Sequence, residues 1–399
     1  MDAADTRVSD LLLDSPRTIV GVRAAEVATE IVAEAAGTAV APRVVLIAGG
    51  GFTGRGWSAP LLTALRSYPL RMVIQSGLPT PESVAVLARQ VRAHRADVVL
   101  TVGGGSVMDA GKAAAALSIR TDPTPELVVR ACAEETGGEA APPVIALPTT
   151  PGTGAEATPF ATIWHRGQGR KLSLRGASLR PVTAVLDPDL LIGLPEAHLI
   201  SCLLDTLAQG LEGAWSIRAD QQSEWLGGAA WALLADLLDR RPDDWGAAQR
   251  HAALLAGHLA GRAIALAGTT VCHAMSYPLT LRHGLGHGHA CGLTLAAVLR
   301  YNASVGADCA DPRGPQRVRA TIARVVSAAG VEDVEELARR IDTLAASPAL
   351  PVAPDLRRDA IRIATEALAY DRAGNNPRRV DVQALTRLLA GITERDYAR

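Results

Sequence analysis

The chain has 399 residues, of which 48% are hydrophobic, 20% are charged and only 3% are aromatic, and its formal net charge is −1. This composition is typical of a soluble globular protein with an aliphatic core, long enough for two or three domains. There is no basic excess of the kind that indicates nucleic acid or an anionic membrane surface as a partner. We therefore expect neither a nucleic-acid partner nor a membrane partner.

The cysteines and the first residues of the chain indicate its compartment. Five cysteines, an odd number with no CxxC pair, do not predict a disulfide framework; they are Cys132, Cys202, Cys272, Cys291 and Cys309. The opening stretch MDAADTRVSDLLLDSPRT is acidic and lacks the basic and apolar sections of a signal peptide. The apolar runs are broken by charge or glycine before they reach the length of a membrane span. These features predict a cytoplasmic protein.

Up to about residue 195, short β-type runs alternate with helical stretches such as PESVAVLARQVRAHR and SVMDAGKAAAALSI. The β-type runs are rich in valine, isoleucine and leucine, as strands covered on both faces are. They are RVVLIAGGG (43–51), LRMVIQSG (70–77), ADVVLTVGGG (96–105), PPVIALPTT (142–150) and PVTAVLDPDL (181–190). Residues 1–195 are therefore predicted to form an α/β domain that binds its ligand beyond the carboxyl ends of the strands.

Two turns in this half are suited to bind phosphate. In VLTVGGGSVMDAGKAAA, three glycines and a serine separate a strand from a helix that is expected to begin near Ser106. Glycine lets the backbone approach a ligand closely, and a helix N-terminus offers unpaired N–H groups to a pyrophosphate. In ALPTTPGTGAEATPF, a strand end is followed by a turn with three threonine hydroxyls. Either motif alone could also be a tight structural turn.

From PEAHLISCLLDTLAQGLEGAW onward, the pattern changes to helices. The stretches SEWLGGAAWALLADLLDRR, WGAAQRHAALLAGHLAGRAIALA, QRVRATIARVVSAAG and VEELARRIDTLAA have amphipathic or buried helical spacing. No strand is expected after residue 190. Residues 196–399 are therefore predicted to form an all-helical domain, and the cleft between the two domains is the expected place of the active site.

One helix of this half carries candidate metal ligands. LLDTLAQGLEG sets Asp205, Gln209 and Glu212 at positions i, i+4 and i+7, on one face. The solvated face of an amphipathic helix is the alternative interpretation of this spacing. Whether this face binds a metal or faces solvent depends on what packs against the helix.

The stretch VCHAMSYPLTLRHGLGHGHACG supplies histidines. We expect His273 at a helix end, then a break at Pro278 and the glycines, and His287 at the start of a new helix. A lone histidine is more often structural than a metal ligand. Two histidines around a helix break, together with the aspartate, suit a cation bound by nitrogen and oxygen.

These motifs occur together in a known order. GGGSVMDAGK, PTTPGTGAE, the Asp-x-x-x-Gln helix and His-x13-His have the order and spacing of iron-containing (group III) alcohol dehydrogenases, which the chain resembles over roughly residues 17–395. The stretches TPFATIW, KLSL, LEGAWSIRA, HAMSYPLT, HGHACGLTL and NNPRRV look most like the phosphonoacetaldehyde reductase (hydroxyethylphosphonate dehydrogenase) branch. The resemblance implies an N-terminal Rossmann-like dinucleotide-binding domain and an all-α C-terminal metal-binding domain, a dehydroquinate synthase-like fold.

The resemblance implies that Asp205, His273 and His287 bind the metal and are the catalytic residues. Gln209 stands where the family usually has a fourth ligand, a histidine, and its amide oxygen is a weak ligand for Fe²⁺ or Zn²⁺. Three protein ligands with one open position still make a catalytic site. The departure leaves the choice between iron and zinc open, and also the complete loss of the metal.

The resemblance also implies a set of cofactor contacts. The glycine loop would hold the pyrophosphate, Asp109 and Lys112 would support it, Lys171 would lie near the nicotinamide ribose, and the threonines would contact phosphate or nicotinamide. The loop and threonine residues are Gly103, Gly104, Gly105, Ser106, Thr149, Thr150 and Thr153.

The coenzyme preference is predicted from the end of the second strand. Gly49 stands there in place of the aspartate with which NAD-preferring members bind the ribose diol. Loss of that carboxylate removes repulsion toward a 2′-phosphate, and Arg55 could pair with such a phosphate. NADPH is therefore favoured, with NADH as the alternative.

A phosphonate substrate would need cationic or hydrogen-bonding groups nearby, and the candidates are Ser173, Arg175, Arg282 and His283. Tyr277 stands where many family members have a histidine near the substrate. His289 is expected to support a ligand or to pack in the core. Ala155 replaces the serine common in the GTGSE motif.

The predicted activity is NAD(P)H-dependent reduction of a small aldehyde to an alcohol, in which the metal polarises the carbonyl. The best candidate reaction is phosphonoacetaldehyde to 2-hydroxyethylphosphonate. The alternatives are a glycerol-dehydrogenase-like polyol oxidoreductase or another aldehyde reductase, a lyase of the dehydroquinate synthase type, and a metal-free, non-catalytic cofactor-binding homologue. From the family we expect a homodimer or a larger homo-oligomer.

Overall fold

The computed structural model describes residues 16–37, 40–134 and 141–395. By their internal contacts these residues form two units. The first consists of the chain up to Thr150 together with Ala155–Leu194, and the second consists of Pro151–Gly154 and Pro195–Arg399. The change of unit at residue 194 falls beside the predicted domain boundary, whereas the short segment Pro151–Gly154 was not expected to belong to the helical unit.

The first unit is built on a six-stranded sheet. Its strands are β1 (Arg17–Val20), β2 (Val44–Gly49), β3 (Leu70–Gln75), β4 (Val98–Gly103), β5 (Val144–Pro148) and β8 (Thr183–Leu186). All neighbouring pairs are parallel, in the order β1-β8-β5-β4-β2-β3. All five predicted strands are therefore present in this sheet, and β1 adds an edge that the sequence analysis did not anticipate.

Helices cover both faces of this sheet. They are α1 (Ala24–Ala36), α2 (Ser58–Ala64), α3 (Pro81–Ala93), α4 (Gly105–Leu117) and α5 (Pro125–Ala133). Because side chains alternate along a strand, Val45 and Ile47 of β2 pack into one core with α3 and α4, while Val44 and Leu46 pack into another with α1 and α2. The near-continuous aliphatic strands of the sequence follow from this double coverage.

A two-stranded antiparallel hairpin, which was not predicted from the sequence, is formed by β6 (Phe160–His165) and β7 (Arg170–Arg175). The turn between them contains Gly169 in the left-handed region, with φ 60°. The candidate residues Lys171, Ser173 and Arg175 therefore lie on a strand and not on a loop.

The second unit is helical, as predicted. Its helices are α6 (Glu196–Trp215), α7 (Gln221–Ala235), α8 (Ala247–Ala267), α9 (Val271–His283), α10 (His287–Ala303), α11 (Pro315–Ala328), α12 (Val334–Ala345), α13 (Ala360–Leu368) and α14 (Val382–Arg395). The segment Pro151–Gly154 joins this unit because Gly154, with φ 57°, lies directly against Gly261 of α8. The same segment accepts a hydrogen bond at the Pro151 carbonyl oxygen from the Thr206 hydroxyl, at 2.6 Å.

The expected helix break needs correction. Helix α9 begins at Val271 and continues through Pro278 to His283, so His273 lies at a helix end, in the first turn, but the break falls after His283 and not at Pro278. His287 is the first residue of α10, as predicted. No single helix in the described ranges is both long and apolar enough to cross a membrane; only α8 and α9 taken together meet such a test, and they are bent by 108°.

Candidate metal centre and cofactor loop

The polar face of α6 is buried, so the solvated-face interpretation of its spacing is wrong. Asp205 and Gln209 are each 2% exposed, and Glu212 is 0% exposed. Buried carboxylates are costly unless they are paired, hydrogen-bonded or bound to a metal. The groups that pack against these three side chains therefore determine whether the face can bind a metal.

Two glycines allow α10 to approach α6. A Cβ atom at Gly288 would overlap the Ser201 carbonyl oxygen, and one at Gly292 would lie 2.6–2.9 Å from Leu204. Because these glycines lie in contact with α6, the residues immediately before them on α10, His287 and Cys291, are brought to the same face of α6.

Four side chains from three helices meet at this face. The ligand atoms of Asp205, His273, His287 and Cys291 all lie within 4.8 Å of one another. Asp205 Oδ1 is 3.3 Å from His273 Nε2 and 3.9 Å from His287 Nε2. Small side-chain rotations from this spacing allow bonds of about 2.0–2.3 Å to a single zinc ion. The three ligands that the sequence predicted therefore come together, and Cys291 joins them.

Glu212 orients His273 and also caps α9. Its Oε1 accepts the Cys272 N–H at 2.8 Å, the His273 N–H at 3.3 Å and the Thr270 hydroxyl at 2.7 Å. Its Oε2 bonds to His273 Nδ1. Because a carboxylate only accepts, Nδ1 keeps its proton in either charge state of the ring, and Nε2 is the nitrogen that can lose its proton and bind a metal.

Ser276 orients the second imidazole in the same way. Its hydroxyl donates to the His273 carbonyl oxygen at 2.8 Å, and the same Oγ lies 3.2 Å from His287 Nδ1. Because the hydroxyl proton is already used, Oγ accepts the proton of His287 Nδ1. Nε2 of His287 is then also left as a ligand atom.

The electrostatics of the cluster favour a cation. Burial by itself would lower the pKa of His273, but Cys291 and Glu212 hold that pKa well above its ordinary value. Burial would raise the pKa of Asp205, but His287 and His273 hold it below its ordinary value. A positive charge is therefore stabilised here, and a metal must displace a proton to bind, so its affinity rises with pH.

Two buried acceptors also fit a metal. Gln209 Oε1 has no hydrogen-bond partner among the described residues, and Asp205 Oδ1 has none besides its contact of 3.3 Å with His273 Nε2. Such orphaned oxygens are rare in protein interiors and indicate an absent ion or water. Gln209 lies one helical turn after Asp205, on the same face of α6.

The glycine loop of the first unit is formed by the end of β4 and the start of α4. The structure begins α4 at Gly105, one residue earlier than expected. A Cβ atom at Gly103 would lie 2.5–2.9 Å from three atoms of Val107, and one at Gly104 would lie 3.0 Å from Thr150 Oγ1. The loop therefore requires glycine, and its backbone N–H groups stand at the N-terminus of α4.

Asp109 and Lys112 support this region. Lys112 Nζ is buried and donates to the carbonyl oxygens of Ala155 and Phe160, at 2.9 and 2.5 Å, and it pairs with Asp109 Oδ1 at 2.9 Å. Asp109 Oδ2 accepts the Thr162 N–H at 2.8 Å. Both side chains therefore tie α4 to the segment 155–162, which suits their expected role of supporting the loop, and a part in binding the cofactor stays a prediction.

The remaining cofactor candidates lie in several places. Gly49 ends β2, and Arg55 Nη1 donates to the Ile192 carbonyl oxygen at 3.2 Å. The Thr149 N–H donates to the Gly103 carbonyl oxygen at 3.0 Å, which ties the second turn to the glycine loop. Thr153 belongs to the segment Pro151–Gly154 of the second unit.

On β7, Lys171 Nζ donates to Ser173 Oγ at 2.7 Å, so these two candidates form a pair on one face of the strand. Arg175 ends the strand and is exposed. All three belong to the first unit. Their predicted contacts with ribose and substrate stay predictions.

The substrate candidates of the second unit differ from one another. Arg282 is held by Glu366 through two hydrogen bonds, one of 2.9 Å, so its charge is already neutralised. His283 Nε2 lies 3.5 Å from Asp359 Oδ2. Tyr277 is buried, with its ring stacked on the His287 ring at 5.9 Å between centroids. The structure therefore disfavours Arg282 as the residue that binds an anion.

His289 is buried and lies outside the cluster, and burial lowers its pKa. From the sequence, Glu212 was predicted only to share one face of α6 with Asp205, and neither Ser276 nor Cys291 was predicted to belong to the site. The i, i+4 spacing of His287 and Cys291 was a signal for the last of these. Nothing local in the sequence indicates that Glu212 or Ser276 bonds to a histidine ring.

Comparison with known proteins agrees with this geometry. The model of the iron-containing alcohol dehydrogenase family matches residues 15–188, and that of the C-terminal region of the Fe-containing alcohol dehydrogenase family matches residues 199–392. A phosphonoacetaldehyde reductase from Streptomyces viridochromogenes is 48% identical over 359 residues, which are 89% of this chain and 91% of that protein. The 1-propanol dehydrogenase PduQ of Citrobacter freundii is 30% identical, over 78% of this chain and 82% of its own.

Among solved structures, the sulfoacetaldehyde reductase of Bifidobacterium kashiwanohense in complex with NAD⁺ aligns with a TM-score of 0.72 and 26% identity, covering 95% of this chain and 97% of its own. The expected fold is thereby confirmed, and so is the expected activity class, because the relatives are oxidoreductases acting on aldehydes and alcohols. This family binds NAD(P) and a metal ion. The chain belongs to the iron-containing alcohol dehydrogenase family.

Proposed function

We propose that this chain reduces phosphonoacetaldehyde to 2-hydroxyethylphosphonate with NADPH as the hydride donor. The observation that carries the substrate is the 48% identity with the phosphonoacetaldehyde reductase over most of both chains. Further support comes from the sulfoacetaldehyde reductase, whose named substrate is also a short aldehyde with an anionic group.

We propose that Asp205, His273 and His287 hold the metal, and that Gln209 offers its amide oxygen beside them. The orphaned oxygens of Asp205 and Gln209 and the two oriented imidazoles fit this assignment. A divalent metal at this position acts as a Lewis acid that polarises the substrate carbonyl. Because both rings are already fixed by Glu212 and Ser276, the ligand geometry is set before the substrate arrives.

Between iron and zinc, we propose zinc. Cys291 adds a sulfur donor to a set of nitrogen and oxygen donors, and thiolate ligands favour zinc over iron(II) in mononuclear sites. Gln209, in place of the histidine usual in the family, is a weak ligand for either metal. The choice of zinc therefore depends on Cys291.

For the cofactor, we propose that the backbone of residues 103–106 binds the pyrophosphate at the N-terminus of α4. The dinucleotide supplies the hydride when it is bound. Arg55, which has no carboxylate partner among the described residues, is proposed to bind the 2′-phosphate of NADPH. The proposed lining of the remaining dinucleotide consists of Gly49, Thr149, Thr150, Thr153 and Lys171. That the enzyme is a cytoplasmic homo-oligomer stays a prediction.

The second candidate is reduction of a neutral short-chain aldehyde. The 1-propanol dehydrogenase PduQ, 30% identical over most of its length, is the observation that favours it. In that case the site needs no group that binds an anion.

The test compares aldehydes on the metal-loaded protein. The metal content is measured first, and steady-state rates are then followed by coenzyme oxidation with phosphonoacetaldehyde, succinic semialdehyde and propionaldehyde, each with NADPH and NADH. We expect zinc, a preference for NADPH, and a kcat/KM for phosphonoacetaldehyde at least ~100-fold above that for propionaldehyde. Equal values for the two aldehydes would support the second candidate and contradict the first.

A further inference from the structure

Beside the metal centre lies an arginine that the sequence analysis did not single out. Arg372 belongs to a short 3-10 helix, Asp371–Asn375, in the second unit. Its guanidinium carbon is 5.2 Å from the ring centroid of Tyr277. The ring of Tyr277 is in turn stacked on that of His287, a proposed metal ligand, with only 9° between the two ring planes. One aromatic ring therefore connects the arginine to a metal ligand.

The hydrogen bonds of Arg372 go to neutral groups. Nη1 donates to Thr269 Oγ1 at 3.0 Å and to Tyr277 Oη. In the ranges that the structure describes, no carboxylate lies within ion-pair distance of Arg372, and neither Nε nor Nη2 has an acceptor. A half-buried guanidinium without a counter-ion is unfavourable unless an anion binds to it.

Other arginines of the same unit are neutralised. Arg282 is held by Glu366, and Arg378, which also lies over a tyrosine ring, bonds to Asp308 at 2.6 Å. Arg372 differs from them because it contacts Tyr277, beside the metal centre, and no carboxylate among the described residues neutralises its charge. The planar fork formed by Nε and Nη2 matches the two oxygens of a phosphonate, sulfonate or carboxylate.

We propose that Arg372 binds the anionic group of the substrate while the metal centre receives its aldehyde oxygen. This inference rests on the proposed function and names the substrate class that the site takes: an aldehyde with an oxyanion on the carbon next to the carbonyl, or one carbon further. A single ring, that of Tyr277, separates the cation from His287, so only a short molecule spans both. Tyr277 is then a positioning residue, because it holds the guanidinium and stacks on a ligand.

The first arm of the test is kinetic and uses the metal-loaded enzyme. Arg372→Gln removes the charge and the fork, and Arg372→Lys keeps the charge alone. We expect Arg372→Gln to raise KM for phosphonoacetaldehyde about 10- to 100-fold, as the loss of a charge-assisted hydrogen bond does, while kcat/KM for the neutral propionaldehyde changes less than ~3-fold. Arg372→Lys should recover part of the loss. Sulfoacetaldehyde, an anionic substrate without phosphorus, should follow phosphonoacetaldehyde.

Two further variants sharpen this arm. Arg362→Gln, at a side chain that is 63% exposed on α13, is the control and should leave both substrates unaffected. Arg282→Gln tests the rival assignment. If Arg282→Gln discriminates between the two aldehydes and Arg372→Gln does not, the proposal is wrong.

The second arm measures binding without turnover. Phosphonoacetate, which cannot be reduced as an aldehyde, is titrated calorimetrically into the wild type and the variants, each with its metal content determined. We expect Arg372→Gln to weaken binding about 10- to 100-fold at unchanged metal content. Equal affinity would overturn the proposal. Should the glutamine variant fail to fold, as judged by thermal unfolding, the lysine variant carries both arms.

The measurements distinguish a wrong substrate from a wrong assignment of Arg372. If the wild type shows no preference for phosphonoacetaldehyde over propionaldehyde, the proposed function itself is wrong. If the wild type has the preference and Arg372→Gln retains it, the function stands and the assignment of Arg372 is wrong.

Discussion

The glycine loop of the first unit and the proposed metal centre of the second are built in opposite ways. The loop consists of consecutive residues, 103–106, and offers backbone N–H groups at a helix end. The metal centre consists of side chains between Asp205 and Cys291, contributed by three helices. The loop needs side chains to be absent, whereas the centre needs distant side chains to be present and oriented.

This difference determines how each site fails. The loop should be disturbed by an added Cβ atom within it and should tolerate changes elsewhere in the unit. The proposed metal centre should be disturbed by changes to residues that are not themselves proposed ligands, because each imidazole is fixed by another buried group. Three predictions test this contrast.

The largest effect on function is expected at Glu212. This residue is not a proposed metal ligand, but it bonds to the ring of His273, which is one. Glu212→Gln removes the charge that fixes the Nδ1 proton, so we expect the metal affinity to fall about 10- to 100-fold. The measurement is competition with a chelator for zinc. Glu224→Gln is the matched control, since Glu224 is a carboxylate of the same unit, with a side chain that is 8% exposed, and it pairs with Arg317 and Arg324. An unchanged metal affinity in Glu212→Gln would mean that His273 is not oriented by this carboxylate.

An intermediate effect is expected at Gly103. Gly103→Ala forces a Cβ atom against Val107, which should lower the free energy of unfolding by about 1–3 kcal/mol and raise KM for NADPH. Urea unfolding and initial rates measure the two consequences. Gly228→Ala, on α7, has no atom within 4 Å of the added Cβ and serves as the control. If both substitutions have the same effect on KM, the close fit at the loop is not what binds the coenzyme.

The smallest effect is expected where β2 and β4 begin, at the end of the sheet opposite the glycine loop. Asp97, just before β4, accepts hydrogen bonds from Arg43 Nε at 3.0 Å and Nη2 at 2.9 Å, and this pairing lowers the pKa of Asp97. A lowered pKa contributes stability above the ordinary carboxylate pKa of about 4, and this stability is lost as the pH falls through the lowered value.

Asp97→Asn should therefore cost at most about 1 kcal/mol at neutral pH, because the pair is partly exposed. The difference from the wild type should shrink as the pH falls below about 4. Unfolding at several pH values measures the cost, and KM for NADPH should not change. A change in KM would show that the loop depends on side chains far from it and would weaken the contrast between the two sites.

Several parts of the molecule could be predicted from the sequence because their causes are local. The parallel strands were predictable from their aliphatic runs, and the loop at residues 103–106 from its glycines. The hairpin β6–β7 was missed because its strands are only partly buried, so their composition lacks the continuous aliphatic character of the sheet. Asp205, His273 and His287 were identified through the resemblance to a family, not through spacing alone.

The start of α9 was not predicted, for a different reason. Thr270 precedes the helix but makes no side-chain cap bond. The cap comes from Glu212, which lies about 60 residues earlier in the chain, and a cap of this kind leaves no signal beside the helix it stabilises. Pro278, which suggested a break, is accommodated inside the helix.

By itself, the sequence determined five of the six strands of the sheet, the main helical segments, and the loop at which glycine is required. These features depend on the periodicity of nearby residues and on the missing Cβ of glycine, both of which are local. Only the tertiary structure decided that Glu212 fixes His273, that Cys291 joins the metal centre, and that Arg282 is neutralised while Arg372 is not. The physical reason is that a side chain's charge and orientation are set by the partners it meets, and in the helical unit those partners are brought together from distant parts of the chain.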